Sequence, residues 1–455
     1  MCQLAQRGTR EGEEGLLLMA SEANLPVVII GAGPVGLAAA AHMLGRGIEP
    51  LILEASTDVA ASLRDWAHVR LFSPWRYNVD KAATAMLEAS GWLAPPLDEL
   101  PTGGEIVERY LRPFAALPQI QSRLWLDHKV TGISRMAADK VKTSGRGDSP
   151  FVVRTVDAAG NMTERLARAV LDASGTWWSH NPLGASGLPA QGESEASDRI
   201  HYGIPDINGE HRDRYAGRAT QVVGAGHSAA NSILALAELA RAAPGTKIIW
   251  ATRGTNLTRV FGGGSGDALP ARGKLGTALR AMLAADRLTL LSGFRIDEVR
   301  PGVHGLDVYG TRGGEPLVQS GIDAIIAATG QRPALDLLRE VRLSLDPALE
   351  CVHALGPLID PNEHSCGTVR PHGQRELAHP DPDFYIVGSK SYGRAPTFLL
   401  ATGYEQVRSV VAMLAGDEEA ALRVELDLPE TGVCNSALAP PESDGQCCAA
   451  KSACC

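Results

Sequence analysis

The most constraining feature of the sequence is an apolar strand that leads directly into a glycine-containing turn and a helix. The run VVIIG (27–31) is apolar and largely β-branched, which is typical of a parallel strand buried on both faces. The segment PVGLAAAAHMLGRG has the composition of a helix, with Pro34 in its first turn and Gly47 at its end. A second apolar run, PLILE (50–54), follows. This order predicts a strand–helix–strand unit and therefore an α/β fold with a parallel sheet.

The turn of this unit carries the G-x-G-x-x-G pattern of a dinucleotide-binding site. Gly31 permits the tight turn, Gly33 lets a pyrophosphate approach the backbone, and Gly36 lets the helix pack on the strand. The phosphates would meet the positive end of the helix, beside Pro34. Glu54 ends the second strand, where an acid accepts hydrogen bonds from a ribose. The glycine pattern alone also occurs in ordinary turns, but the strand, the helix and the acid together favour cofactor binding.

The pattern recurs in the segment ATQVVGAGHSAANSILALAELARAAPGTKIIWATR. Gly224, Gly226 and Ala229 lie between an apolar strand and a helix rich in Ala and Leu. The next strand ends in Thr252 and Arg253, without a carboxylate. An acid at this place selects the ribose hydroxyls, whereas an Arg accommodates a 2′-phosphate. The second site is therefore predicted to bind NADPH; the alternative is that Arg253 is only an exposed residue at a strand end.

Two such units in one chain resemble the two-dinucleotide-binding-domain flavoproteins, over about residues 25–415. The segments LDASGTW (171–177) and DAIIAATGQRP (323–333) resemble the paired crossings between the domains of that family. The resemblance implies FAD in the first Rossmann-like domain and NADPH in the second, with the NADPH domain inserted in the FAD domain. The implied boundaries are an N-terminal extension at 1–24, an FAD-binding domain at 25–205 and 335–425, an NADPH-binding domain at 206–334 and a flexible Cys-rich tail at 426–455.

The segment FYIVGSKSYGRAPTFLLATGYEQVRSVVAML resembles the last strand and helix that contact FAD in that family. The family usually has Gly-Asp on this strand, where the acid binds the ribityl chain, and this chain has Gly388 and Ser389 instead. The Ser389 hydroxyl can still form a hydrogen bond with the ribityl chain. Thr397 is predicted to begin a helix whose N-terminus points at the flavin ring.

Cysteine spacing separates two large groups of such flavoproteins. Disulfide reductases carry C-x-x-C or C-x4-C beside the flavin. Outside the C-terminal tail this chain has only Cys2, Cys351 and Cys366, and the last two are 15 positions apart. A dithiol relay at the flavin is therefore not expected.

The stretch LFSPWRYNVD resembles a segment of the other group, the flavin-containing (class B) monooxygenases. In that group NADPH reduces FAD, and one oxygen atom of O₂ passes to a soft nucleophile. The segment carries an Asn beside the reactive flavin carbon, and Asn78 is the matching residue. The resemblance therefore implies a catalytic role for Asn78; the alternative is that its amide caps a turn.

Charge and hydropathy exclude several partners. The formal net charge is −9 and no basic run occurs, so nucleic acid is not an expected partner. No apolar run approaches about 18 residues, so no membrane span is predicted. The first twenty residues contain only LLLM after an acidic EGEEG, which is not a signal-peptide pattern. We expect a cytoplasmic protein, in which thiols stay reduced; a homodimer is compatible with the sequence.

The C-terminal tail holds five of the eight cysteines in its last 22 residues. Thiolates are soft ligands that prefer soft, thiophilic ions. The motifs HSCGTVRPHG and LPETGVC, with the Cys pairs that follow, resemble flavoproteins associated with bacterial arsenic-resistance operons. The alternative is a disordered tail with incidental cysteines. The candidate metalloid ligands are Cys434, Cys447, Cys448, Cys454 and Cys455.

These observations predict an FAD- and NADPH-dependent monooxygenase that oxidises a soft nucleophile. The arsenic-operon resemblance implies a trivalent arsenical, arsenite or methylarsenite, as the small-molecule substrate, with O₂ as the second substrate. Antimonite and organic sulfur or nitrogen compounds remain open. Two alternative functions also remain: an NADPH-dependent flavin reductase, and a non-enzymatic protein that binds metalloid through its thiol tail.

Overall fold

The VVII run forms the central strand of a parallel sheet in the computed structural model, which describes residues 25–262, 270–362, 371–395 and 398–426. All four residues of this strand are buried, as a strand covered on both faces requires. The strands of the described residues, in chain order, are β1 (Val27–Ile30), β2 (Pro50–Leu53), β3 (Leu124–Trp125), β4 (His128–Arg135), β5 (Phe151–Asp157), β6 (Met162–Ala167), β7 (Ala169–Asp172), β8 (Ile200–Tyr202), β9 (Ala219–Val223), β10 (Lys247–Thr252), β11 (Thr289–Ser292), β12 (Phe294–Gly302), β13 (Gly305–Arg312), β14 (Glu315–Ile322), β15 (Ala324–Ala327) and β16 (Phe384–Ile386).

The helices range from single turns to about four turns. The longest ones follow the two glycine turns, precede β11, or lie near the C-terminal end of the described residues. In chain order they are α1 (Pro34–Gly45), α2 (Ala61–Asp65), α3 (Lys81–Ala89), α4 (Gly103–Ile106), α5 (Arg112–Ala115), α6 (Pro118–Gln121), α7 (Arg212–Tyr215), α8 (His227–Ala242), α9 (Thr258–Phe261), α10 (Pro270–Ala284), α11 (Gly356–Ile359), α12 (Gln374–Leu377), α13 (Leu400–Leu414) and α14 (Glu418–Leu422).

The described strands form two lobes, each with one parallel and one antiparallel sheet. In the first lobe the parallel strand order is β16-β7-β1-β2-β3, beside the antiparallel sheet β4-β5-β6. In the second lobe the parallel order is β11-β10-β9-β15-β8, beside the antiparallel sheet β12-β13-β14. Each parallel sheet carries its glycine turn after a central strand, β1 or β9. The turns therefore lie at the carboxyl edges of the two sheets, where ligands of such folds bind.

Apolar side chains of the second parallel sheet divide between two clusters. One cluster contains Val222 and Ile326, and the other contains Val223 and Ile325. Neighbouring residues of one strand point to opposite faces, so each face of this sheet has its own core. A sheet covered on both faces is typical of a doubly wound domain.

The second lobe is inserted in the first. Its strands β8 to β15 lie in the chain between β7 and β16, and β16 returns to pair with β7 at Ile386 opposite Asp172. The prediction of an α/β fold in which one Rossmann-like domain is inserted in another is therefore confirmed. The predicted boundary at 205/206 falls after β8, which pairs with β15 of the second sheet. The structure thus places residues 200–202 with the second lobe, because their pairing partner lies there.

The two segments that cross between the lobes are bonded to each other. The Asn181 backbone N–H donates to the Gly330 carbonyl at 2.9 Å, and the Arg332 N–H donates to the Ser179 carbonyl at 2.9 Å. The Arg332 side chain also donates to the Asn181 Oδ1 at 3.1 Å. These hydrogen bonds hold the two crossing segments together between the lobes.

Helix α13 covers the first glycine turn. Gly403 of α13 lies so close to Val35 of α1 that an added Cβ would sit 2.6 Å from Val35 Cγ2. The Tyr404 hydroxyl donates to the Asn78 carbonyl at 2.9 Å. The helix begins at Leu400, with Leu399 as its N-cap. The predicted start, Thr397, lies outside the described residues. None of the helices in the described ranges is long and apolar enough to cross a membrane.

A buried ion pair joins the loop between β4 and β5 of the antiparallel sheet to the segment before β16. The Arg146 guanidinium donates to both Asp381 carboxylate oxygens, from Nε at 2.9 Å and from Nη2 at 2.8 Å. Both side chains are 2% exposed. The remaining Arg146 donors bind the carbonyls of Ala138, Asp139 and Glu340. Burial raises the pKa of Asp381, but the hydrogen bonds from Arg146 and from the Arg342 N–H lower it more together, so the pKa lies below its usual value.

Replacing Arg146 by Met should destabilise the protein by about 3 kcal/mol or more, because it leaves a buried carboxylate without its charge partner. The matched control is Arg154→Met, which breaks the half-exposed Arg154–Glu164 pair of the same sheet and should cost less than about 1 kcal/mol. Urea unfolding of the two variants and the wild type measures both losses. Equal losses of unfolding free energy in the two variants would show that the buried Arg146–Asp381 pair stabilises the fold no more than the half-exposed pair does.

Candidate functional site

The first glycine turn is packed closely on one side and open on the other. Gly31 has φ +97°, and its N–H donates to the Leu53 carbonyl at 2.8 Å. A Cβ added at Gly36 would lie 2.0 Å from the Gly31 carbonyl oxygen, so α1 can approach β1 only through a glycine. A Cβ added at Gly33 would meet nothing within 4 Å. The backbone at Gly33 is therefore accessible to a ligand, directly before Pro34 at the start of α1.

Glu54 is held beside this turn by backbone donors. Its carboxylate accepts from the Ala32 N–H at 2.7 Å and from the Ser56 N–H at 2.9 Å. Glu54 is 9% exposed and lines a cavity of about 580 Å³. Each carboxylate oxygen has a second acceptor position, so both can still accept from the hydroxyls of a ribose.

The second turn repeats this arrangement. Gly224 has φ +137°, and a Cβ there would lie 2.1 Å from the Ala328 carbonyl oxygen. The space beside Gly226 is open, with nothing within 4 Å of an added Cβ. Ala229, the third residue of the fingerprint, is fully buried. The Trp250 indole N–H donates to the Gly224 carbonyl at 2.7 Å, a contact that the sequence pattern did not predict.

The strand after this turn places Thr252 and Arg253 at the same sheet edge. Thr252 is 1% exposed, and its hydroxyl donates to the Gly254 carbonyl at 2.9 Å. The Thr252 side chain therefore shapes the loop. Arg253 is exposed, and its Nη1 donates to the Ala185 carbonyl at 3.3 Å. The remaining Arg253 donors have no partner within the described residues, which leaves them available to a phosphate.

Both lobes contribute to the cavity beside Glu54. Its lining includes Arg64 and Asp65 from α2 of the first lobe, and His201 and His211 from the second. Nearby, the Trp177 indole donates to the Asp65 carboxylate at 2.8 Å. A ligand in this cavity would therefore contact both lobes. A second interlobe contact lies at the start of α8, where His227 meets the Phe72 ring at a centroid distance of 5.2 Å.

Histidines at the junction of the lobes have lowered pKa values. Burial lowers the pKa of His201 to about 4, with further lowering from the nearby His211 and Arg214. Burial also lowers the pKa of His68 and of His180. Each of these lowered pKa values favours the neutral imidazole, and His201 is the one of the three that lines the cavity beside Glu54.

Gly388 and Ser389 lie at the end of β16, next to the first turn. Gly388 has φ +70°, its N–H donates to the buried Gln406 amide oxygen at 2.7 Å, and an added Cβ would lie 3.3 Å from Val35. Ser389 is partly exposed, and its Oγ would lie 3.6 Å from a Cβ added at Gly175. The structure therefore brings Ser389 to the crossing segment of the first lobe, at the carboxyl edge of the sheet.

A buried ion pair next to Ser389 was not predicted from the sequence. The Lys390 ammonium donates to the Asp172 carboxylate at 2.7 Å and to the Ser174 hydroxyl at 3.0 Å, and the Lys390 and Asp172 side chains are fully buried. Asp172 also accepts from the Ser174 hydroxyl at 2.6 Å and from the Ser174 N–H at 3.1 Å. The sequence signal for this ion pair was Lys390, two positions after Gly388. Its partner, Asp172, lies 218 positions earlier in the chain.

Asn78 is buried in a short turn rather than pointing into open space. Its amide N–H groups donate to the carbonyls of Ser73 and Pro74, each at 2.8 Å, and its Oδ1 accepts from the Ser73 hydroxyl at 3.1 Å. Asn78 is 1% exposed. Both amide hydrogens are therefore used within the turn, which favours the capping interpretation over direct contact with a reacting atom.

The predicted metalloid ligands Cys434, Cys447, Cys448, Cys454 and Cys455 lie outside the described residues. Within residues 25–262, 270–362, 371–395 and 398–426, no group of three or more His, Cys, Asp or Glu is placed to hold a metal ion. The same ranges contain one cysteine, Cys351, which is 0% exposed. Burial raises the pKa of its thiol to about 12.

Comparisons with known proteins agree with this architecture. Residues 29–100 match a family model described as an NAD(P)-binding Rossmann-like domain. A sequence comparison with curated proteins gives no match. Solved structures of flavoproteins superpose on most of the chain. The chain has the fold of a two-dinucleotide-binding-domain flavoprotein.

Three of the similar structures show the range of their activities. A bacillithiol disulfide reductase from Bacillus cereus has a TM-score of 0.62 at 18% identity, over 86% of this chain and 99% of its own. An FAD-bound cadaverine monooxygenase of desferrioxamine biosynthesis from Erwinia amylovora has a TM-score of 0.62 at 14% identity, over 92% and 99%. A flavin monooxygenase from Stenotrophomonas maltophilia has a TM-score of 0.54 at 21% identity, over 86% and 98%.

Replacing Gly33 by Ala should weaken flavin binding at least about tenfold, because the new methyl group occupies the open approach to the backbone without meeting protein atoms. Gly226→Ala should weaken nicotinamide-cofactor binding in the same way and leave the flavin bound. The flavin content of each purified variant and fluorescence titration with the nicotinamide cofactor measure these effects.

The control is Gly45→Ala at the end of α1, where an added Cβ also meets nothing within 4 Å. It should change neither cofactor affinity. If Gly33→Ala and Gly45→Ala gave the same flavin content, the first turn would not be the flavin site.

Proposed function

We propose that the protein is an FAD- and NADPH-dependent monooxygenase that oxidises a soft nucleophile, with a trivalent arsenical as its substrate. The observation that carries the proposal is the pair of glycine turns with open backbone at Gly33 and Gly226. Both lie at the carboxyl edge of a parallel sheet, and the two lobes meet at a shared cavity. Two dinucleotides bound at these turns would allow electron transfer from one cofactor to the other.

The first lobe fits FAD. The start of α1 would receive the pyrophosphate beside Gly33, and Glu54 would accept hydrogen bonds from the ribose. Ser389 would contact the ribityl chain from the end of β16. When bound, FAD would supply two-electron transfer from NADPH to O₂, so that one oxygen atom passes to the substrate and the other is released as water.

The second lobe fits NADPH. The start of α8 would receive the pyrophosphate beside Gly226, and the unpaired donors of Arg253 would hold the 2′-phosphate. Strand β10 ends in Thr252 and Arg253, so no carboxylate stands at this position to repel the phosphate. NADPH should therefore bind more tightly than NADH.

Arg253→Ala should weaken NADPH binding at least about tenfold and change NADH binding little, because a charge-assisted contact is worth about 1.5–3 kcal/mol. The measurement is the KM for each cofactor, with NADH as the internal control. Equal losses for the two cofactors would remove Arg253 from the 2′-phosphate site.

Cysteine chemistry supports an oxygenase over a reductase. Two of the similar structures are described as bacillithiol disulfide reductases. A thiol relay needs a thiolate that can reach its partner, whereas the one cysteine in the described ranges, Cys351, is buried with a raised pKa. This part of the chain thus offers no reactive thiol for a disulfide-reducing relay.

The arsenical substrate is supported by the sequence of the tail and by its chemistry. Trivalent arsenic carries a lone pair, so it can accept an oxygen atom and become pentavalent. Thiolates bind the trivalent form because both partners are soft. We therefore assign capture of the substrate to the tail cysteines and oxygen transfer to the two-lobed part.

Oxygen uptake separates the proposed enzyme from its alternatives. With NADPH present, arsenite or methylarsenite should stimulate O₂ consumption, and the arsenical should be recovered in its pentavalent form. A flavin reductase would instead oxidise NADPH under anaerobic conditions with an added electron acceptor, and a binding protein would oxidise none. The same assay with antimonite and with sulfur or nitrogen nucleophiles defines the substrate class; no stimulation by either arsenical would reject the arsenical substrate.

Truncation after Val433 should raise the KM for the trivalent arsenical and leave kcat nearly unchanged, because it removes a binding contribution made before the chemical step. The truncated chain keeps both glycine turns and should retain its flavin. A matched full-length variant with the five tail cysteines replaced by Ser separates the effect of the thiols from that of chain length. A collapse of kcat in either variant would place a tail thiol in the chemical step.

A further inference from the structure

A second cavity lies in the second lobe, away from both glycine turns. It has a volume of about 570 Å³, within the range of small-molecule sites. It opens at the amino ends of β8, β9 and β15, whereas Gly224 and Gly226 lie at the carboxyl ends of the same sheet. Strand β9 has five residues, so roughly 16 Å separates the two edges. A ligand in this cavity would not occupy the NADPH site.

Three guanidinium groups line this cavity. They belong to Arg199 before β8, Arg214 of α7 and Arg218 before β9, and His304 adds an imidazole from the turn between β12 and β13. Guanidinium groups are charged at any physiological pH. The whole chain carries a net charge of −9, so this local concentration of cations opposes the general charge of the protein.

The arginines of the cavity are largely unpaired within the described residues. Arg214 Nη2 donates to the Asp198 carbonyl at 2.8 Å, whereas the side chains of Arg199 and Arg218 have no hydrogen bond or ion pair in these ranges. Asp198 and Asp323 also line the cavity, but neither carboxylate pairs with the three arginines. Asp323 instead accepts from the Ala219 N–H at 2.8 Å. The three guanidinium groups outnumber the two carboxylates, which leaves a net positive lining.

A connection runs from this cavity to the one beside Glu54. Strand β8 has only three residues. Arg199, immediately before it, lines the arginine cavity, whereas its central residue His201 lines the cavity beside Glu54. Helix α7 repeats the connection, because its N-cap His211 lines the first cavity and Arg214 lines the second. A ligand that draws the arginines together would therefore act on two short elements that also form the wall of the cofactor cavity.

We propose that the cavity of Arg199, Arg214 and Arg218 binds a phosphate-class oxyanion and that its occupancy changes flavin affinity through β8 and α7. Planar guanidinium forks match the oxygen atoms of a phosphate, and three of them suit a dianion better than a monocarboxylate. The binding step stands apart from the proposed oxygenase activity. The coupling step rests on flavin binding beside Glu54.

Isothermal titration of the full-length, flavin-loaded protein in phosphate-free buffer tests the site. The probes are inorganic phosphate and glycerol 3-phosphate, at constant ionic strength with chloride as the balancing anion. Saturable binding of one equivalent per chain is expected. Tighter binding of the phosphomonoester would identify an organic phosphate as the ligand class, and tighter binding of phosphate would identify the free anion; both support the site. If neither phosphate nor glycerol 3-phosphate binds, the proposed anion site is overturned.

Variants separate this site from the glycine turns, which also attract phosphate. The double substitution Arg199→Ala and Arg218→Ala should weaken binding at least about tenfold, whereas Arg241→Ala, an exposed arginine in the last turn of α8, should leave it unchanged. The double substitution Arg199→Lys and Arg218→Lys should give intermediate affinity, since the charge remains but the fork is lost. Wild-type affinity in the double Ala variant would place the anion elsewhere and overturn the proposal.

The coupling is measured as flavin affinity with and without saturating phosphate. In the wild type the affinity should change, and by thermodynamic linkage the flavin should change phosphate affinity by the same factor. The double Ala variant should lose this response. An unchanged flavin affinity in the presence of bound phosphate would overturn the regulatory part, whatever the enzyme oxidises.

Discussion

The architecture depends on close backbone packing at the two glycine turns. In the first lobe a Cβ at Gly36 would lie 2.0 Å from the Gly31 oxygen, so α1 packs on β1 only through a glycine. In the second lobe a Cβ at Gly224 would lie 2.1 Å from the Ala328 oxygen at the end of the neighbouring strand β15, so the turn after β9 passes that strand only through a glycine. With them, each helix start reaches the sheet edge, where backbone N–H groups and the helix dipole favour an anion. At Gly33 and Gly226, beside these helix starts, an added Cβ would meet nothing within 4 Å, so the backbone is open to a ligand.

Local sequence patterns predicted the elements whose causes are local. The run at 27–31, the helix after Pro34 and the second strand ending at Glu54 all form where the pattern places them. The position of Glu54 beside the turn also follows from the pattern, because adjacent parallel strands end at the same edge. Backbone geometry and burial therefore explain why a short motif was sufficient there.

Contacts between distant residues could not be predicted in this way. The partner of Lys390 is Asp172, 218 positions earlier, and no periodicity connects them. Asn78 matched a family segment, yet its amide donors are taken by the carbonyls of Ser73 and Pro74. Strand β8 pairs with β15, which lies more than a hundred positions later in the chain, and no local pattern connects the two strands. Sequence motifs identify residue types, whereas these outcomes depend on how the remaining chain packs.

The pairing of β16 with β7 also has a consequence for the order of events during synthesis. The ribosome completes every strand of the second lobe before it produces β16, the edge strand of the first sheet, and α13, which covers the first glycine turn. The inserted lobe can close around its own cores while the earlier segment still lacks an edge and a cover. Until then the nascent chain exposes the unpaired backbone edge of β7, so this interval is when a chaperone would be needed most.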